Sequence, residues 1–292
     1  MRSAAMDPLS TRELGRTGIR LTRLGLGGTS IGSLYRPLDD DAARATLDAA
    51  WDAGLRYFDT APYYGHGSSE RRYGAALGKR PRDEFVLSTK VGRMLVPAEG
   101  RAGKPPHFVD EEPWRAAFDY SPAAVAESLR QSRERLRIDR LDVVYIHDAH
   151  NHVEEALEGA WPALQAMRDE GRIRAVGAGL NWHEVCERMA RAADLDCFLL
   201  ANRYTLLEQD PLESFFPLCE ARGIGIVAGG AFNSGILATG PVEGAMYDYL
   251  PAQPAVRERV ARIEAVCARH GVPLAAAAIQ FPLHHPVVAS VI

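Results

Sequence analysis

The stretch RYFDTAPYYG, residues 56–65, decides the fold of this chain. It opens with a short apolar run that predicts a buried strand, and this run ends at the carboxylate of Asp59. A loop with proline and glycine follows and contains Tyr64. An acid at a strand end, with a phenol five residues later, indicates a functional site at the carboxyl edge of a parallel sheet.

Seven further apolar runs occur along the chain, and each is nearly continuous rather than alternating, which is typical of parallel strands covered on both faces. With residues 56–60, the predicted strands are residues 24–27, 85–90, 143–147, 175–179, 197–202, 225–228 and 287–292. Amphipathic helix patterns lie between them; Ser121 and Pro122 begin one, and Gly54 ends another. This alternation predicts an α/β fold, a closed (β/α)₈ TIM barrel, with a hairpin at residues 12–21 plugging its N-terminal end.

The longest stretch without a regular pattern is residues 93–120, which are rich in proline, glycine and charge. A loop of this length in a compact domain is usually functional. We expect a lid or a binding loop here, and a disordered insertion is the alternative.

The composition restricts the partners of the chain. Its 292 residues have a net charge of −4 with acids and bases interspersed, which does not indicate nucleic acid or a membrane surface as partner. No apolar run is long enough to span a bilayer, and the N-terminus lacks the apolar core of a signal peptide. Dispersed cysteines indicate buried thiols of a cytoplasmic protein; they are Cys186, Cys197, Cys219 and Cys267.

Two later strands also end at ionisable side chains. The predicted strand after Asp59 ends at Lys90, and the next one ends at His147. Each residue taken alone has a purely structural explanation. Asp59 could cap a turn, Tyr64 could be a packed aromatic, Lys90 could be a solvated strand end, and His147 could be a core histidine. Because strand ends of a barrel share one mouth, we expect them to converge with Tyr64.

Together these groups fit carbonyl reduction or alcohol oxidation. A tyrosine has a pKa of about 10, and a nearby ammonium favours the phenolate and lowers that pKa. We therefore expect Lys90 to assist Tyr64 as general acid/base, Asp59 to hold Lys90, and His147 to orient the substrate oxygen. No side chain carries hydride, so a nicotinamide cofactor is implied.

Two other motifs give rival interpretations. The run HDAHNH, residues 147–152, is compatible with a metal-dependent barrel hydrolase, but that function leaves Tyr64 and Lys90 without a role. The run GLGG, residues 25–28, lacks the third glycine and the following helix of a dinucleotide fingerprint. We therefore expect no metal site.

Five phrases carry a resemblance to a known family: LGLGG at 24–28, YFDTA at 57–61, STKVG at 88–92, DVVYIHD at 142–148 and GRIRAVG at 171–177. With them the chain resembles the aldo-keto reductases over essentially its whole length. The resemblance implies the catalytic residues Tyr64, Asp59, Lys90 and His147, with NADP or NAD as cofactor. Some relatives of this family are non-catalytic nucleotide-sensing subunits, and that alternative stays open.

Three segments are most similar to the sugar dehydrogenases of that family: GSLYRP at 32–37, RYTLL at 203–207 and AGGAFNSG at 228–235. Those enzymes oxidise the anomeric carbon of L-fucose and other D-threo-aldoses to a lactone, and a related branch oxidises pyridoxal. The resemblance implies an aldose or a related aldehyde as substrate. We expect aromatic faces to line its pocket beside His147, from Tyr35, Tyr63 and Trp114.

The resemblance also implies the residues that bind the nucleotide: Gly28, Thr29, Asp59, Asn181, Asn202, Gly229, Phe232, Ser234 and Gly235. Many members have a glutamine where this chain has Ala201. Many also have an aromatic residue, which stacks on the nicotinamide, where this chain has Gly229; Phe232 is our candidate substitute. Asn181 is the predicted partner of the nicotinamide amide.

The chain ends at Ile292, where the family continues with a loop, a helix and a tail. That segment normally supplies phosphate and adenosine contacts. We expect residues 1–292 to form a single barrel domain without this helix and tail, and to bind nicotinamide nucleotide weakly.

Overall fold

A computed structural model describes residues 7–98, 107–109 and 113–292, and within them eight parallel strands form the central sheet. Each strand pairs with the next one along the chain. The strands are β1 (Leu26–Gly27), β2 (Tyr57–Asp59), β3 (Val86–Val91), β4 (Val143–His147), β5 (Ala175–Leu180), β6 (Cys197–Ala201), β7 (Gly225–Gly229) and β8 (Val288–Val291).

The first and last strands meet and close the sheet. The Gly25 N–H donates to the Val291 carbonyl, and the Val291 N–H donates to the Arg23 carbonyl, both at 2.9 Å. The predicted (β/α)₈ barrel is confirmed.

Helices alternate with the strands and cover the outside of the barrel: α1 (Asp40–Asp52), α2 (Ser68–Leu77), α3 (Pro122–Leu136), α4 (Trp161–Asp169), α5 (His183–Ala192), α6 (Phe215–Arg222), α7 (Pro254–Arg269) and α8 (Leu274–Gln280). A helical turn at Val153–Glu155 and a π-helical segment at Ala156–Ala160 lead into α4, and a short helix spans Ile236–Thr239. In the described part of the chain, no helix has the length and apolarity to cross a membrane.

The helix starts follow local sequence signals. The Asp39 carboxylate accepts a hydrogen bond from the Ala42 N–H and caps α1. Ser121 caps α3 in the same way, with Pro122 at its first position. These caps were readable from the sequence because they depend on residues only three positions apart.

The N-terminal hairpin pairs Thr11–Glu13 with Arg20–Thr22. It buries Leu14, Ile19 and Leu21 completely, in one cluster with the side chains that fill the barrel interior. The predicted plug therefore lies where the sequence placed it.

Inside the barrel, a small polar stack lies below the mouth. The Tyr57 Oη is 3.1 Å from the Ser88 Oγ and 3.2 Å from the Tyr145 Oη, and all three side chains are buried. Each lies two residues before a strand-end group, so it shares that group's face of the strand. On β5, Gly177 makes room for this stack, because a Cβ there would lie 2.8 Å from the Tyr145 ring and 2.4 Å from the Cys197 carbonyl oxygen.

The stretch at residues 93–120, read from the sequence as irregular, contains a hairpin. Arg93–Pro97 pairs antiparallel with Trp114–Phe118. This pairing joins residues about twenty positions apart, so a local pattern dominated by proline, glycine and charge did not indicate it. The lid or binding loop was expected over residues 93–120, and its residues 99–106 and 110–112 lie outside the described residues.

Candidate active site

The carboxyl ends of the strands open into a cavity of about 800 Å³. Asp59 and His147 are the last residues of β2 and β4, and Lys90 is the penultimate residue of β3. Tyr64 begins a short 3₁₀ helix, Tyr64–Gly67, after β2. All four side chains line the cavity. The structure thus brings together the predicted quartet.

Lys90 is held by buried oxygen atoms. Its Nζ donates to the Asp59 Oδ2 at 2.6 Å and to the Thr60 carbonyl at 2.9 Å, and the other Asp59 oxygen accepts from the Ser88 hydroxyl at 2.6 Å. Burial by itself lowers the pKa of Lys90, but the carboxylate of Asp59 and the phenol of Tyr64 outweigh burial and raise it. Lys90 is therefore an ammonium at neutral pH.

The Tyr64 ring lies against this ammonium. Lys90 Nζ is 4.7 Å from the ring centroid, and both Lys90 and Thr29 act to lower the pKa of the phenol. Burial raises the pKa of Tyr64 above its usual value, and Lys90 opposes that rise. The sequence analysis correctly expected Lys90 to lower the pKa of Tyr64, but it left out burial, whose effect on this pKa is larger. The phenol is protonated at neutral pH.

His147 completes the wall beside Tyr64. The two rings meet edge to face with centroids 5.7 Å apart, and the Tyr120 hydroxyl donates to the His147 carbonyl at 2.7 Å. Burial lowers the pKa of His147 to about 3, with Lys90 and Arg93 adding to this effect and Asp148 opposing it. The imidazole is therefore neutral. Its Nδ1 has no hydrogen-bond partner among the described residues.

Most of the predicted nucleotide-binding residues lie around the same cavity: Thr29, Asp59, Asn181, Asn202, Gly229, Phe232, Ser234 and Gly235. Gly28 does not line it. Its carbonyl accepts a hydrogen bond from the Ser69 hydroxyl at 2.8 Å, and a Cβ on Gly28 would lie 2.7 Å from the Ser69 Oγ. Gly28 packs behind the cavity wall.

Tyr249 is a cavity residue that the sequence reasoning missed. The side-chain amides of Asn181 and Asn202 both donate to its Oη at 3.2 Å, and its N–H donates to the Ser234 hydroxyl at 2.9 Å. Tyr249 lies between the paired strands Met246–Tyr247 and Leu250–Pro251, with a positive φ of 66°. No local motif marks it, because a turn and its packing on distant strands place the ring.

Gly229 stands where the resemblance implies an aromatic residue in many members, and a side chain there would meet one close neighbour. A Cβ on Gly229 would lie 2.9 Å from the Leu199 Cδ2, so a larger side chain there requires Leu199 to move. Phe232 and Tyr249 are the aromatic residues that line the neighbouring part of the cavity.

The predicted substrate residues divide into two groups. Tyr35 and Tyr63 line the cavity, as His147 does. Trp114 does not, because the hairpin pairs it with Pro97 and leaves it 40% exposed. Phe108, which the sequence reasoning did not single out, lines the cavity with its ring centroid 5.1 Å from that of Tyr63.

The histidines of residues 147–152 point to different neighbours. The His150 ring stacks on Trp182 with centroids 4.0 Å apart, and the His152 Nδ1 is 3.1 Å from the Glu155 Oε1. Within residues 7–98, 107–109 and 113–292, no group of three or more His, Cys, Asp or Glu side chains is placed to bind a metal ion.

Comparison with known proteins gives consistent matches. The family model described as "Aldo/keto reductase family" matches residues 23–292. A D-threo-aldose 1-dehydrogenase from a Pseudomonas species is 44% identical over 283 residues, covering 94% of this chain and 85% of the relative. A pyridoxal 4-dehydrogenase from Microbacterium luteolum is 40% identical, covering 96% and 87%.

A solved structure agrees with these matches. It is an aldo-keto reductase from Bacillus halodurans in its holo form, with a TM-score of 0.74 and 27% identity. The similarity covers 96% of this chain and 84% of that one.

Proposed function

The chain belongs to the aldo/keto reductase family and is a nicotinamide-dependent oxidoreductase, and from this premise we propose that it oxidises the anomeric carbon of an L-fucose-type or D-threo-aldose to a lactone. The observation that carries the proposal is the contact of a buried ammonium, Lys90, with both Asp59 and Tyr64 in a cavity that His147 also lines. The similarity to an aldose dehydrogenase supports the substrate class.

We assign the proton transfer to Tyr64. In reduction the neutral phenol, the main form at neutral pH, donates a proton to the substrate oxygen. In oxidation the minor phenolate form, which Lys90 favours, accepts the hydroxyl proton of the substrate. Lys90 stabilises the phenolate, and Asp59 holds Lys90 in position. The neutral imidazole of His147 is suited to hydrogen-bond the same substrate oxygen without adding charge.

The side chains around the cavity fit a nicotinamide, because two amide groups, from Asn181 and Asn202, converge there and are suited to hydrogen-bond its carboxamide. The remaining contacts are proposed for Thr29, Asp59, Gly229, Phe232, Ser234 and Gly235, with Gly28 supporting the wall from behind. A bound NADP or NAD supplies the hydride acceptor. Four free thiols in the described part of the chain support action in the cytoplasm.

The test is reduction of NAD and NADP, followed by absorbance, with L-fucose, other D-threo-aldoses and pyridoxal as substrates. We expect turnover with an aldose. Turnover with pyridoxal alone would replace the aldose by an aromatic aldehyde, and no turnover with either would contradict the proposal.

Replacing the phenol tests the assigned acid/base. We expect Tyr64→Phe to lower kcat about 100- to 10,000-fold, because the proton loses its acceptor. The affinity for nucleotide, followed by protein fluorescence, should stay unchanged. Tyr73→Phe is the matched control, since it removes a buried phenol oxygen that donates to the Leu26 carbonyl, and it should retain turnover. Wild-type kcat in Tyr64→Phe would remove Tyr64 from this role.

A further inference from the structure

An ion pair without a role in the proposed proton transfer lies in the cavity wall. Arg93 and Asp148 are paired through a hydrogen bond, and both side chains line the cavity with 17% and 19% of their surface exposed. Asp148 directly follows His147, with a left-handed φ of 51°, and its N–H donates to the Gly179 carbonyl at 3.0 Å. The backbone therefore fixes this carboxylate beside the imidazole.

The spacing of Asp148 and His147 suits one ligand that carries two neighbouring oxygens. The Asp148 Oδ2 is 3.6 Å from the His147 Nε2. A ligand oxygen at the imidazole and a hydroxyl on the next carbon can contact both groups at once. The imidazole can donate a hydrogen bond to the ligand oxygen, and the carboxylate can only accept one from a hydroxyl. Together the two groups therefore suit a ligand with an acceptor oxygen on one carbon and a hydroxyl on the next.

Arg93 holds the Asp148 carboxylate in place and favours its ionised form. Its guanidinium lies 3.3 Å from the centroid of the Tyr63 ring, so the cation is held on both sides, by the ring and by Asp148. Burial raises the pKa of Asp148, but the interactions with His147 and Arg93 outweigh burial and lower it. At neutral pH, where the imidazole is uncharged, the guanidinium of Arg93 supplies the positive charge. The carboxylate is thus ionised at neutral pH, and one Arg93 contact leaves other lone pairs of its oxygens available to a hydroxyl.

We propose that Asp148, held by Arg93, binds the substrate hydroxyl on the carbon next to the reacting carbon. The ligand class is then the 2-hydroxy aldehydes, which include the aldoses. This inference rests on the proposed aldose oxidation and deepens it: Tyr64 and His147 contact the reacting oxygen, and Asp148 selects for the neighbouring hydroxyl. Arg93 is a positioning residue, because it acts on the substrate through Asp148.

The test compares two sugars in two proteins. L-Fucose and 2-deoxy-L-fucose differ in the hydroxyl at issue, and Asp148→Asn replaces the carboxylate by an amide of similar shape. We expect wild type to prefer L-fucose by about 10- to 100-fold in kcat/KM, the range of one hydrogen bond to a charged group. Asp148→Asn should lose that preference, with the larger fall in kcat/KM for L-fucose, since the two changes remove the same contact.

Asp194→Asn is the control. It removes the carboxylate of an exposed ion pair with Arg16, outside the residues that line the cavity, and it should keep the wild-type preference. A merely structural role of Asp148 predicts equal losses with both sugars, which would overturn the subsite. A preference retained by Asp148→Asn, or none in wild type, would overturn it as well while leaving aldose oxidation intact. No turnover of either sugar by wild type would instead reject the proposed function, and the subsite with it.

Discussion

The imidazole of His147 shows how burial sets the charge of a single residue in this site. Only 6% of its surface is exposed, and the positive groups of Lys90 and Arg93 lie near it. Asp148 would favour the charged form, but its own charge is shared with Arg93. The result is a neutral ring next to a phenol that exchanges a proton.

This burial predicts a pH dependence of stability. The pKa of His147 is about 3 in the folded protein and about 6.5 in an exposed chain, so between these values the unfolded chain binds a proton that the folded protein does not. The free energy of unfolding should fall as the pH falls through this window, by about 1.4 kcal/mol per pH unit from this group. His147→Gln should remove that contribution.

Urea denaturation between pH 5 and pH 7 measures the effect of His147→Gln. His152→Gln, in a histidine that contacts Glu155 outside the barrel, is the control for loss of an imidazole. An unchanged pH dependence in His147→Gln would show that this histidine is not neutralised by folding.

Strand β5 shows how one element makes room for the site. Its sequence places Gly177 and Gly179 on one face, two residues apart, opposite Tyr145 and Lys90. A Cβ on Gly177 would overlap the Cys197 carbonyl oxygen at 2.4 Å, whereas a Cβ on Gly179 would meet the Lys90 Cε at an ordinary 3.5 Å.

These two glycines form a matched pair for a stability measurement. Gly177→Ala should lower the free energy of unfolding by about 1–3 kcal/mol, because the added methyl overpacks backbone that has no room to move. Gly179→Ala should change it by less than about 1 kcal/mol. Chemical denaturation measures the free energy of unfolding of both variants. Equal losses in the two variants would show that β5 relaxes to accommodate the methyl group at Gly177.

Elements differ in how far the sequence predicts them. The eight barrel strands and the caps of α1 and α3 were predictable, because an apolar run or a residue three positions away is sufficient. The 93–118 hairpin was not, since neither of its strands has a regular pattern of its own. The hairpin brings Arg93 to the cavity and leaves Trp114 exposed to the solvent. Because the sequence did not predict this hairpin, it also did not predict that Arg93 lines the cavity or that Trp114 does not.

At the scale of the whole molecule, the N-terminal hairpin seals one end of the barrel and leaves the other end for the site. Leu14, Ile19 and Leu21 fill the sealed end and are completely buried. This apolar layer separates the polar stack under Asp59 from the solvent on that side.

Truncating one of these side chains tests the plug. Leu21→Ala should lower the free energy of unfolding by about 2–5 kcal/mol, because it leaves a cavity in a closed interior. Leu250→Ala, at a leucine that is 66% exposed, should change it by no more than about 0.5 kcal/mol. Equal losses in urea denaturation would mean that the hairpin is not part of the core.

The sequence by itself determined the barrel and the groups that meet at its mouth. Strand ends of a parallel barrel share one edge, so the positions of Asp59, Lys90 and His147 along the chain already implied their convergence. Only the tertiary structure decided the charges in the site. Burial keeps His147 neutral, and it raises the pKa of Tyr64 although Lys90 acts to lower that pKa. The tertiary structure also decided which distant residues join the site, since Tyr249 and Arg93 reach the cavity through pairings and turns that no local pattern records.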